Sequence, residues 1–420
     1  MKTHSLPNES SRLQAWWRSL AALALAAAVA ACGGGGGGIG GAVNAVEPAA
    51  PGANTVGPSA FTAGAISGFG SVIVNGVRFD DSLASIKEED GDDSRELKLG
   101  MMVGVNSSAP SLGSTPRASS ISFVSELKGA IDSRATSDSF VVLGVKVLIT
   151  NTTVCDVPAA AGCASLKVGD VVEVYGSFAA ATATAPATLT ATRIELQTAP
   201  LFLKLRGAIS NLNITAKTFN VGTQTATVTY AGIAAAVPAT LANGLLVRVK
   251  VKAAKTPDGL YEAVRIKVPG ERKVADSGEA KVEGRITVAI DAAKIFSVNG
   301  VQVDASNASL PAGGTASLVV GVQVEIEGKI VNGVLVATKV KLEEESEKPE
   351  GKNELHGTPT GLDTAAKTFM LRGVKVDYAS ATFVKVTLAD FANPKLKIEV
   401  KGNLSADGSK VIAKVIKLDN

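Results

Sequence analysis

One pattern recurs five times along this chain of 420 residues: a Gly-x-Ile strand, a Phe-x-Val-x-Gly-x-x-Val hairpin, a Leu-x-x-Gly-x-x-Val-x-Val strand and an Ala-x-x-Ile strand. Self-similarity at a steady period means small units along one chain, so the fold is decided unit by unit. The anchor glycines are Gly64, Gly129, Gly207, Gly284 and Gly357, separated by 65, 78, 77 and 73 residues. The closing alanines Ala118, Ala191, Ala263, Ala337 and Ala413 keep pace at 73, 72, 74 and 76. These anchors delimit residues 63–124, 126–196, 204–268, 281–342 and 354–420, called units one to five below.

Each unit reads as all-β. Asn75-Gly76 and Asn299-Gly300 stand between β-branched runs, where a type I′ turn is favoured because both central residues take positive φ. Asp258-Gly259, Asn332-Gly333 and Asp407-Gly408 mark a second hairpin. A three-strand meander, a variable connection and a closing hairpin have the strand count and order of a small OB-like β-barrel, with the helix usual in the connection short or missing and an SH3-like barrel or small sandwich as the other readings. Val247, Val249 and Val251 alternate with Arg248, Lys250 and Lys252, so valines face the core and cations face outward. Units one and two adjoin almost without spacer and are expected to pack tightly. Residues 269–280 and 343–352 are charged linkers with Gly or Pro, and unit five is expected to move most freely.

Ahead of the units lies a targeting segment. Lys2, Arg12 and Arg18 precede an apolar run over 20–29 that is too short to span a bilayer. The run ends in Val29-Ala30-Ala31-Cys32, which resembles a lipobox and marks Cys32 as the acylated residue after removal of 1–31. Residues 32–62, with six glycines at 33–38, read as a flexible tether. Two acyl chains on Cys32 would anchor the protein stably, and Gly33 in place of Asp resembles lipoproteins exported to the outer membrane.

Lipobox, glycine tether and the repeated Gly-x-Ile, Phe-x-Val-x-Gly and Leu-x-x-Gly-x-x-Val-x-Val-x-Gly segments together resemble proteobacterial lipoproteins built from the domain of unknown function 5666. The resemblance covers residues 64–420 and implies an architecture and an envelope location, with no activity attached. Unit five departs from it at Pro394-Lys395, where the other units have Gly100, Gly169, Gly244 and Gly321, so its third-to-fourth strand connection is expected to differ.

Candidate sites are few. Cys155 and Cys163 lie in the variable connection of unit two, and an exported chain is expected to join them as a structural disulfide. His4 falls in the targeting segment, leaving His356 alone. It aligns with Ala63, Lys128, Arg206 and Glu283 just before the anchor glycines, which reads as a solvent-facing slot without catalytic or metal-binding role. The acidic run at 88–93 invites a calcium reading, but Ile86 and Leu97 occupy the first and twelfth EF-hand positions, and a solvated loop is expected.

Charge is the best clue to a partner. Units one to five carry net charges of −3, −2, +7, +1 and +3. In unit three, Arg248, Lys250 and Lys252 on one strand and Arg265 and Lys267 on the next read as an outward basic stripe able to attract a polyanion. Nucleic acid is an unfavoured partner because both tryptophans, Trp16 and Trp17, precede Cys32 and few stacking platforms remain. No nucleophile elbow, phosphate loop or metal-binding motif occurs, and no cofactor is implied. The sequence therefore points to a non-catalytic, lipid-anchored cell-envelope protein acting as a binding or structural spacer module, partnered by the membrane and by an envelope protein. The alternative is binding of an anionic glycan, polysaccharide or lipopolysaccharide, through unit three.

Overall fold

The structure is a computed structural model that describes residues 59–90, 96–109, 114–158, 161–182, 185–223, 227–238, 241–268, 274–343 and 353–419. All of them lie in the second of two bodies into which the chain divides, Thr55–Asn420. Cys32, its lipobox and the tether to residue 58 lie outside the described residues; residues 59–62, read from the sequence as the end of the tether, instead begin the paired strand Ser59–Phe69, and unit one is taken from 59 below.

The fold is nearly all β, in small closed barrels. In unit four the first strand, Ser277–Val288, pairs with the second, Ile295–Val298, which pairs with the third, Val301–Asp304. The third runs parallel to the fifth, Val334–Leu342, and the fourth, Gln323–Val331, joins the fifth back to the first. This closed order is that of an OB-like Greek-key barrel. Unit three closes in the same order. In units one, two and five the third strand continues in a short second segment, Ser85–Glu88, Val154–Asp156 or Thr382–Val384, which also runs parallel to the last strand. Among the described residues the connection to the fourth strand holds short 3-10 turns, such as Gly162–Ser165 and Gly314–Ser317.

The recurring residues have physical reasons. Asn75 and Gly76 sit at φ 51° and 73°, and Asn299 and Gly300 at 49° and 79°, the positive values of a type I′ turn. The Asn75 amide donates to the Ala63 carbonyl at 2.8 Å, so its side chain lies over Gly64, where a Cβ would come within 2.1 Å of it. A bulge follows each closing alanine: Ala118, Ala191, Ala263, Ala337 and Ala413 pair with 107, 176, 251, 328 and 402, and the register then skips the next residue of the strand. The isoleucine of Gly-x-Ile and the glycine opening the fourth strand are tied by a hydrogen bond, the N–H of Gly100, Gly169, Gly244 and Gly321 donating to the carbonyls of Ile66, Ile131, Ile209 and Ile286 at 2.8–2.9 Å.

Unit five breaks this rule for a reason visible in its sequence. Pro359 stands where the isoleucine should be. It interrupts the first strand between Asn353–Gly357 and Thr360–Asp363, and it has no N–H to return. Lys395 accordingly has no positive φ, and the connection is made by Leu388–Ala392 under a Thr387–Asp390 capping box.

The barrels pack around the first strand of unit one, Ser59–Phe69. Over 60–63 it runs parallel to the first strand of unit four, and at Gly68 and Phe69 it runs parallel to that of unit five, opposite Glu354 and Leu355. Three buried cores result. Units two and three share one, units one and five share a second that takes in Ile66, Phe79, Leu355 and Phe369, and unit four encloses Phe61 and Ala63 of unit one. Units one and two meet where Arg193 donates to the Leu99 carbonyl at 3.0 Å. The free unit five expected from its linker is therefore corrected. It docks on unit one, where a Cβ on Gly68 would lie 2.0 Å from the Glu354 carbonyl oxygen, and on unit two, where the Cys155 N–H donates to the Gly408 carbonyl at 2.8 Å. A charged linker with Gly or Pro does not prevent a complementary strand edge from being filled.

Candidate functional site

The acidic run of unit one and the basic face of unit three meet each other. Lys204 packs against Glu88, with Asp90 at 3.9 Å, Glu173 of unit two at 3.8 Å and the Ser125 hydroxyl at 2.7 Å. Arg248 grips Asp90 with Nε and Nη2 and reaches Glu126 at 3.2 Å. Lys128 pairs with Glu173 at 3.1 Å. Glu88, Asp90, Glu173, Lys128, Lys204 and Arg248 are all buried. Burial opposes the Arg248 charge, but Glu126 and Asp90 outweigh it and hold the guanidinium above its ordinary range. Burial would raise the Glu126 carboxyl, yet Arg206 and Arg248 hold it below its ordinary range.

Two sequence expectations are corrected here. Glu88 and Asp90 are not part of a solvated loop, because unit three buries them. The outward stripe is not a free row either. Arg248 is spent inside the interface, Lys252 pairs with Glu262 at 2.8 Å, and Lys250 lies over the Phe202 ring at 4.8 Å. Arg265 and Lys267, cross-strand neighbours of Lys250 and Arg248, have no acidic partner among the described residues and line a cleft.

That cleft, of about 1020 Å³, opens between units one to four. Unit one contributes Phe61 and Met102, unit two Phe178, and unit four Val288 and Asn299. Unit three supplies the largest share of the wall, with Ile233, Ala235, Ala236, Val237, Pro238, Leu246, Val264 and Ile266 as its apolar part. Arg206 stands on its floor, stacked on the Phe178 ring at 4.7 Å, with Glu126 at 3.2 Å from Nε. Sequence reasoning passed over Arg206, Lys204 and Phe178. The available signal was the alternation Leu203-Lys204-Leu205-Arg206, which puts two cations beside those of the neighbouring strand.

His356 is also corrected, from an exposed slot to a buried one. Its Nε2 lies 2.8 Å from Glu354 and its Nδ1 3.0 Å from Asp419. Ala63, Lys128 and Arg206 at the aligned positions are buried as well. The slot accepts charge because a carboxylate faces it: Arg206 meets Glu126 of unit two, whereas Lys128 and His356 find Glu173, Glu354 and Asp419 within their own units. Donor atoms of Glu354, His356 and Glu399 lie within 4.8 Å of one another. Lys401 lies 3.1 Å from Glu354 and 3.3 Å from Glu399, and Lys417 lies 2.8 Å from Glu399, so ammonium groups already balance these carboxylates.

Cys155 and Cys163 are joined in a disulfide. Its loop is a docking surface: a Cβ on Gly408 of unit five would lie 2.8 Å from the Cys155 sulfur.

Closed barrels of OB-like strand order, recurring along one chain and packed through buried ion pairs, define a β-barrel repeat protein. Residues 128–195, 283–341 and 356–417, in units two, four and five, match the family described as Domain of unknown function (DUF5666), three matches that are consistent with a repeat-containing protein of that family. No curated protein matches the chain.

Proposed function

We propose that this is a non-catalytic, lipid-anchored protein of the bacterial cell envelope, held by Cys32 at the outer membrane, that captures a ligand between its barrels. The observation that carries this reading is the cleft of about 1020 Å³ walled by four units. A spacer gains from an extended string of units, whereas these units fold back on unit one and enclose a cleft. No helix among the described residues is long and apolar enough to cross a membrane, and the N-terminal lipid supplies the attachment in this reading. Tryptophan is absent after Cys32, so Val264→Trp, at the 37% exposed rim of the cleft, gives a single reporter. Its emission is expected to shift with extracted envelope material, while Val384→Trp in unit five stays unchanged. An unresponsive Val264→Trp chain would remove the reading.

A further inference from the structure

Arg206 is incompletely matched by its own protein. Its side chain is 7% exposed, and a guanidinium carries five N–H donors. Glu126 faces Nε at ion-pair distance, but neither Nε nor Nη1 makes a hydrogen bond. Buried donors without acceptors are costly. Its cross-strand partner Arg248 uses its donors on Asp90 and Glu126, so one carboxylate serves two guanidiniums. Burial, opposed by Glu126 and reinforced by Arg248, pulls Arg206 down to about 10. Arg265 and Lys267 have no acidic partner among the described residues, and with Arg206 and Arg248 they outnumber Glu89 and Glu126 on the lining of the same cleft.

The wall beside Arg206 is of the opposite character. Residues 231–238, Ala-Gly-Ile-Ala-Ala-Ala-Val-Pro, carry no polar side chain, yet Ala234, Ala235 and Ala236 are exposed and Ile233, Val237 and Pro238 only half-buried. Val264 continues this surface to the rim. An apolar surface left open beside unmatched buried donors suits a ligand with both characters.

We propose that the cleft binds an amphipathic anion, its carboxylate or phosphate accepting hydrogen bonds from Arg206 and its apolar chain lying on residues 233–238 and Val264. Guanidinium suits such head groups because its planar fork matches their paired oxygens. The inference rests on the cleft being a ligand site and adds the class of ligand and its anchor.

The test is titration calorimetry on the processed chain with dodecanoate, dodecyl phosphate, dodecanol and inorganic phosphate. Both amphipathic anions should bind, each about tenfold or more tighter than dodecanol and inorganic phosphate, in proportion to a charge-assisted contact. Arg206→Gln should weaken them about tenfold. Should Arg206→Gln lose its cooperative melt, Val264→Asp and Arg265→Gln, both nearer the surface, carry the same test: the first should weaken chain binding, the second head-group binding. Folded Arg206→Gln protein that binds unchanged, or dodecanol that binds as well as the anions, overturns the inference. So does retention of heparin that Arg265→Gln abolishes and Val264→Asp does not, which would favour a glycan. If Val264→Trp responds to envelope extract but no amphipathic anion binds, the ligand class fails and the cleft reading stands. If neither responds, both fail.

Discussion

Arg248 of unit three donates from Nε and Nη2 to the two carboxylate oxygens of Asp90 in unit one, 158 residues earlier in the chain. One residue belongs to the most basic unit and the other to the most acidic, so part of the charge asymmetry between the units is spent on holding them together.

Breaking this interface from one side should be severe. Lys204→Met leaves the buried carboxylate of Glu88 unpaired, and a loss of about 3–5 kcal/mol is expected in urea unfolding; Asp90→Asn should cost less, because Arg248 keeps Glu126. The double variant Glu88→Leu with Lys204→Met should lose distinctly less than Lys204→Met alone, since it removes both charges. Equal losses would show that the pair is not energetically coupled.

The disulfide should stabilise beyond its own loop. Cys155→Ser with Cys163→Ser is expected to cost about 2–3 kcal/mol by the loop-entropy argument. Because Gly408 packs on Cys155, amide exchange should also accelerate around the 407–408 turn of unit five. Protection there that is unchanged would detach the two.

Docking of unit five depends on a missing side chain. Gly68→Ala places a Cβ 2.0 Å from the Glu354 carbonyl, so the parallel pairing of units one and five must open. Limited proteolysis should then cut within 343–352 faster than in the parent chain. Equal rates would contradict this account of the contact.

Acid should weaken unit four through Glu325. Burial would raise this carboxyl, but hydrogen bonds from Lys341 and Lys281 outweigh it and bring it to about 2. A carboxyl lower in the folded state stabilises above its unfolded value and ceases to do so as pH falls through its folded value. Stability from Glu325 should therefore be full above its ordinary value of 4.5 and decline between 4.5 and about 2. Glu325→Gln should flatten that decline in melts recorded across this range.

Lipidation is tested at one atom. Cys32→Ala should abolish palmitate labelling and release the chain from membranes on fractionation. Labelling that persists would reject the lipobox reading.

Much of each barrel was legible because its determinants are local. Asn-Gly turns, anchor glycines and alternating valines act within a few residues or within one hairpin, and they appear in the structure where the pattern placed them. Even the departure of unit five is local, since Pro359 lacks the N–H that the Gly-x-Ile position returns. The disulfide was legible for the same reason, with its two cysteines eight apart in one loop.

Only the tertiary structure decided which barrels touch, and with that the meaning of nearly every charged residue. Alternation along a strand correctly turned Arg248 away from the valine core, but that outward face is solvent only if no neighbour covers it. Asp90, Lys204, Arg206 and His356 lie at such covered faces, and their partners come from other units or from distant strands. A repeat pattern is blind to this because it records what the units share, whereas the contacts between barrels, and the cleft they leave, rest on what each unit has of its own.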